Sequence, residues 1–137
     1  MAKAANSYEL RMAFEEHLEQ TRQHAQRIEE ICEELSLKPK GKKCVGMEGL
    51  VAEGKELLAE DVAEAVLDAG LIGAAQKVEH YEIAAYGTAR AHAGQLGYLS
   101  AAERLQQTLD EEGEADKRLT RIAESLANPE VVAMQRR

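Results

Sequence analysis

Residues 7–35 read SYELRMAFEEHLEQTRQHAQRIEEICEEL. Leu10, Ala13, Phe14, His17, Thr21, His24, Ile28, Ile31, Cys32 and Leu35 recur in them at three- and four-residue steps. At about 100° per residue these side chains share an arc of about 120°, so the stretch is one long helix with a single inward face. Ser7 is its natural N-cap, and Pro39 with Gly41 ends it. His17, on that inward face between Phe14 and Thr21, is the first sign that the core holds more than hydrocarbon.

Three further helices follow from the same periodicity. A short connecting helix is expected from about Met47 to Ala59, with Met47, Leu50, Val51, Leu57 and Leu58 apolar and Gly49 and Gly54 weakening it. A third runs from about Val62 to Leu96, with the stripe Leu71, Ala75, Val78, Glu82, Ala85, Tyr86 and Ala89 and a stop at Gly97. The fourth, from about Ser100 to Ala127, carries Leu105, Leu109, Glu112, Asp116, Leu119, Ala123 and Leu126. Asn128-Pro129 ends it. The expected fold is all-α: an antiparallel helical bundle over residues 1–127 and a loose tail over 128–137.

Composition agrees. Aromatic residues make up only 4% of the 137, there is no Trp, and Ala, Glu, Leu and Gln dominate, a helix-forming rather than strand-forming mixture. A formal charge of −8 argues against binding nucleic acid or an anionic membrane. The basic run Lys38-Pro39-Lys40-Gly41-Lys42-Lys43 reads as a solvated turn. No apolar run approaches ~18 residues, and the first seven residues lack the apolar centre of a signal peptide. Cys32 and Cys44 form no metal-binding spacing. A cytoplasmic location is the expectation.

Burying an ionised carboxylate costs several kcal/mol unless something pairs with it. Glu82 and Glu112 nevertheless stand in apolar stripes, as His17 does on a third helix. Glu79 precedes Glu82 by three residues, about 4.5 Å along the axis on the same flank, so the pair can offer two carboxylates to one metal or bridge two. Such inward groups on separate helices are what a bundle uses to hold metal at its axis. The candidate ligands are therefore Glu79, Glu82, Glu112 and His17, with side-chain ends expected within roughly 8 Å of one another. Crowded carboxylates of this kind should show at least one raised pKa without metal. Asp116 is a weaker candidate, one turn beyond Glu112, and Glu111 is expected in solvent. His24 lies about 10.5 Å along the axis from His17, too far to share its metal, and reads as core or supporting residue. His80 points onto an outer stripe of small residues, Gly73, Ala84, Gly87 and Ala91, that suits helix packing or a second subunit.

The strings AFEEHLEQT (13–21), KCVGMEGL (43–50), AAQKVEHYEIAAYGT (74–88) and QTLDEE (107–112) resemble the YciE/YciF family of bacterial ferritin-like proteins, over about residues 2–126. The resemblance implies a ferritin-like bundle with a dinuclear iron-type centre and an association with stress, but no firmly assigned reaction. It also implies a preceding helix that carries a ligand-type Glu. This sequence begins where that helix would end, which implies an open apolar face for a second subunit to cover and a centre short of one carboxylate. Gly113 also departs from the family, which tends to have a helix former after the residue matching Glu112.

Two functions follow as expectations. One is a dinuclear iron or manganese protein handling oxygen, peroxide or metal, since hard oxygen donors with few imidazoles suit those ions better than copper or zinc. The other is a metal-free helical homodimer acting as a structural or interaction module. No phosphate loop, cofactor fingerprint or nucleophile–base arrangement supports a hydrolase or transferase.

Overall fold

The structure is a computed structural model that describes residues 1–126. It is all-α: a 3-10 turn at Ala2–Ala4 leads into α1 (Tyr8–Glu34), α2 (Val45–Leu58), α3 (Glu64–Gln95) and α4 (Leu99–Leu126), with no strand among the described residues. The expected tail and Ala127 lie outside them.

Polar groups fix the helix ends. The Ser7 hydroxyl accepts from the Leu10 amide, and the buried Asp68 carboxylate of α3 accepts from the amides of Asn6, at 2.8 Å, and Ser7, at 2.7 Å. Asp68 thus satisfies amides that α1 cannot, and its charge suits the positive end of that helix. At the other end of the bundle Gly97 takes φ +78°, and the Tyr98 amide reaches back to the Ala93 carbonyl at 2.9 Å. This αL cap turns α3 directly into α4.

Cross-helix pairs define the directions. Glu16 meets Arg118, His24 meets Glu111 and Glu34 meets Arg104, so α1 runs antiparallel to α4. Gln76 bonds Asp116 and Thr120 near one end of α4, and Gly87 lies beside Leu109 further along, so α3 is antiparallel to α4 as well. Short α2 packs on the outside of α3, also antiparallel. Glycines allow the approach: a Cβ at Gly46 would meet the Tyr81 hydroxyl at 2.7 Å, and one at Gly70 would meet Leu57 at 2.8 Å. Only Gly54 of α2 is buried, and Val51 and Leu58, expected on its apolar side, are exposed.

Two apolar clusters form the core. Ala5, Leu10, Ala13, Phe14, Leu71, Ile72, Ala75, Leu119 and Ile122 fill one end, and Ile31, Ala93, Ala101 and Leu105 the other. Between them lies a polar layer.

Candidate functional site

Three helices supply that layer. On α1, the inward row that buries Phe14 continues to His17 and His24. On α4, the row Leu105–Thr108–Glu112–Leu119 is buried throughout. On α3, the row Leu71–Ala75–Glu79 is buried, and Glu82 beyond it is half-buried.

His17, Glu79 and Glu112 converge. The His17 Nε2 lies 3.1 Å from Glu79 Oε1 and 3.4 Å from Glu112 Oε2, and the three residues offer ligand-type atoms all within 4.8 Å of one another. Glu82 stands outside this tight group, although close enough for the Glu112 charge to act on it. The stripe expected on α3 therefore needs correction: Glu79, placed beside the stripe, is only 3% exposed, and Glu82, placed near its centre, is the edge residue. Much of α3 beyond Glu82 is alanine, and Ala85 and Ala89 are exposed, so they did not mark the buried face.

His24 is 1% exposed and meets Glu112 from the other side, Nδ1 to Oε1 at 2.9 Å. Its ring lies 6.4 Å from that of His17 and 6.3 Å from that of Tyr86, edge-on to both. The separation of Cα atoms along α1 suggested more isolation than the side chains have: both imidazoles lean onto one carboxylate, on opposite oxygens. Glu111 is the second correction. Expected in solvent, it accepts from His24 Nε2 at 2.7 Å, Arg27 at 3.1 Å and Gln107 at 3.0 Å. Its place depends on how α1 lies against α4, which the period of α4 alone does not contain. Asp116 is engaged elsewhere, with Gln76 and the exposed His80.

The layer is electrostatically crowded. Burial pulls the His17 imidazole down, but the bond and charge of Glu79, with Gln20 and Glu112, outweigh it and raise the pKa to about 9. Burial opposes protonation of His24 too, and Glu112 and Glu111 overcome it. Glu82 is pushed up to about 7 by burial and the Glu112 charge, with His17 and His24 partly offsetting. Burial, with Glu79 beside it, also raises Glu112 against the pull of the histidines. Burial and the charges of Glu82 and Glu112 hold the Tyr86 phenol up at about 12. Burial works against the charge of Glu111, but Arg27, Gln107 and His24 keep its carboxyl below the ordinary value.

Despite these short approaches, four buried atoms of the layer have no hydrogen-bond partner of acceptable geometry: His24 Nδ1, Glu79 Oε2 and both oxygens of Glu112. Native interiors rarely leave such atoms unpaired. A cleft of about 430 Å³, with Phe14, Leu18, Thr21, Val78 and Leu119 in its wall, opens onto His17 and Glu79.

An antiparallel bundle with histidine and glutamate side chains turned into its middle layer is a ferritin-like protein. The match to known proteins is direct. Residues 1–132 fit the domain of unknown function DUF892, and the chain belongs to this family, that of the YciE/YciF proteins. Protein YciF of Escherichia coli K12 is 48% identical over 124 residues, which span 90% of this chain and 75% of that protein. The crystal structure of the E. coli stress protein YciF superposes with a TM-score of 0.89 at 47% identity, over 93% of this chain and 81% of that one. YcfI of Rhodopseudomonas palustris follows at a TM-score of 0.83 and 36% identity, over 87% of this chain and 76% of its own. No described helix is long and apolar enough to cross a membrane.

Proposed function

We propose that this protein is a stress-associated ferritin-like metalloprotein whose polar layer would hold a dinuclear, carboxylate-rich iron or manganese centre. The carrying observation is the set of four unpartnered buried atoms, all on His24, Glu79 and Glu112. Buried ligand-type atoms that crowd one another at hydrogen-bond distance without forming hydrogen bonds are what ligands look like when a cation belongs between them. His17, Glu79 and Glu112 would hold one ion, and His24 and Glu82, on the other side of Glu112, would supply ligands for the second. Mixed carboxylate and imidazole donors suit iron and manganese.

Bound there, such ions would supply redox chemistry toward oxygen or peroxide. The protein's own residues do the rest. Both apolar clusters keep water from the two ends of the layer, the cleft beside His17 gives a small molecule a way in, and the half-buried Tyr86 borders His24. The stress association follows the description of the E. coli relative. The free thiols of Cys32 and Cys44 suit the cytoplasm. A homodimer completes the proposal, joined along the stripe of Gly73, Ala84, Gly87 and Ala91, which leaves the cleft open. Among the described residues, nothing beyond its own helix backbone lies within 4 Å of a Cβ built at Gly73.

Elemental analysis of protein loaded anaerobically with Fe²⁺ or Mn²⁺ tests the centre. About two ions per chain are expected, falling in Glu112→Leu. Wild-type protein that retains no metal would leave the second reading, a metal-free homodimeric structural module. The His17 ion pairs to Glu79 and Glu112 favour that reading, because a protonated imidazole neutralises part of the layer by itself.

A further inference from the structure

We infer that Arg27 and Glu111 are positioning residues that orient His24, presenting its Nδ1 to Glu112 by holding the opposite ring nitrogen. The inference rests on the dinuclear reading, because it assigns to this pair the geometry of the second ion's imidazole.

The chain of contacts runs inward from the surface. Arg27, with only 12% of its side chain exposed, grips both oxygens of Glu111, at 3.1 and 3.4 Å, and also the Thr108 hydroxyl. Gln107 adds a third hydrogen bond to Glu111 at 3.0 Å. A carboxylate held by three donors in this way cannot rotate freely. It therefore fixes His24 Nε2 as a donor, at 2.7 Å. An imidazole with one nitrogen committed to donation keeps the other as its lone-pair side whenever the ring is neutral. That other nitrogen is Nδ1, which lies 2.9 Å from Glu112 Oε1 and has no hydrogen-bond partner. The buried ring has no room to be set by solvent, so the Glu111 contact decides which nitrogen faces the layer. Metal-bound histidines are commonly oriented by a carboxylate on the far nitrogen, and losing that partner weakens affinity about 10- to 100-fold. His17 differs: its outer nitrogen meets only the neutral Gln20, at 3.2 Å. The two imidazoles of the layer thus have unequal support, and the two ions should respond differently to changes at Glu111.

The test uses Co²⁺ as probe, added to the full-length apo protein and followed by visible absorption and by elemental analysis after dialysis. Wild type should take up about two equivalents. Glu111→Leu, which removes both acceptor oxygens, should weaken the second equivalent about tenfold or more, with the first unchanged. Glu111→Gln keeps an oxygen for the His24 N–H and should recover most of the loss. Arg27→Met, which keeps the apolar stem, should fall between and serves if Glu111→Leu does not fold. Two equivalents bound with wild-type affinity and spectrum in both Glu111→Leu and Arg27→Met would overturn the inference. If wild type binds no Co²⁺, the dinuclear reading fails, and the ring-nitrogen NMR signals of His24 in apo protein decide the positioning claim. A changed Nε2 signal in the Glu111 or Arg27 variants upholds it, and identical His24 signals in wild type and variants defeat it.

Discussion

The end of the bundle around Leu10, Phe14, Leu71 and Ile122 and the layer one to two turns above it are built on opposite terms. At the end, packing alone suffices: Leu10 and Leu71 are 0% exposed among apolar neighbours, and the buried carboxylate there, Asp68, has its bonds. In the layer, Glu112 is equally buried, yet both of its oxygens lack partners, and carboxylates crowd one another. A chain selected only for stability has no reason to hold such a layer, since well-packed apolar residues of similar volume often do as well or better. The end carries the fold, and the layer spends stability on a site.

The largest effect should come from the packed end. Leu71→Ala leaves a cavity where no neighbour can relax fully, and a loss of about 3–5 kcal/mol in urea unfolding of the apo protein is expected. A loss below about 1 kcal/mol would mean that the end is loosely packed and that the contrast with the layer is false.

The layer should show itself next, through pH. Glu82 has a folded pKa of about 7 against an ordinary 4.5, so folded protein binds the proton more tightly, and stability falls as pH rises through that window. His17, raised from 6.5 to about 9, contributes stability that is complete below 6.5 and lost as pH approaches 9. Both slopes have the same sign, and solvent screening of these half-buried groups roughly halves the full linkage value of about 7 kcal/mol, so the apo protein should lose on the order of 3 kcal/mol between about pH 4.5 and 9. Loaded metal requires these same groups deprotonated, so its stabilisation grows as pH rises. Denaturant midpoints for apo and loaded protein should therefore converge at low pH and separate at high pH. Parallel curves would remove the metal from the layer.

A single substitution isolates one member of the layer. Glu82→Gln removes the ionisation but keeps the shape, so the apo variant should be more stable than wild type by about 2 kcal/mol at pH 8 and nearly equal at pH 4. An equal difference at both pH values would place Glu82 outside the coupled group.

The sequence revealed the packed end better than the layer, for a physical reason. On α1, large apolar residues recur at helical spacing against charged neighbours, so the stripe, the Ser7 cap and the inward turn of His17 could be read one helix at a time. On α3 the residues around the site are largely alanine, which sits as readily outside as inside, and the central and edge roles of Glu79 and Glu82 came out exchanged. Glu111 and the reach of His24 to Glu112 depend on the register between α1 and α4. A side chain about 100° off the stripe of its own helix can still meet a neighbouring helix at the edge of the interface, and only the pair of helices together decides that.

The smallest effect on the fold, and the sharpest on assembly, is expected outside both regions. The stripe Gly73, Ala84, Gly87 and Ala91 belongs to α3 and Gly87 lies beside Leu109, but a Cβ at Gly73 would touch nothing beyond its own helix among the described residues, and Ala84 and Ala91 are exposed. Gly73→Leu should therefore leave the monomer intact, and the better helix former should add about 0.5–1 kcal/mol. If a second copy packs against this stripe, the added side chain holds the two backbones apart, and the dimer should dissociate at concentrations about tenfold higher or more in sedimentation velocity. Unchanged association would move the interface to the cleft beside His17 and close that way in, and Leu18→Glu, half-exposed on its wall, becomes the variant that must disrupt it. A wild-type protein that sediments as a monomer throughout the micromolar range would defeat both versions, and the polar layer would then have to work within one chain.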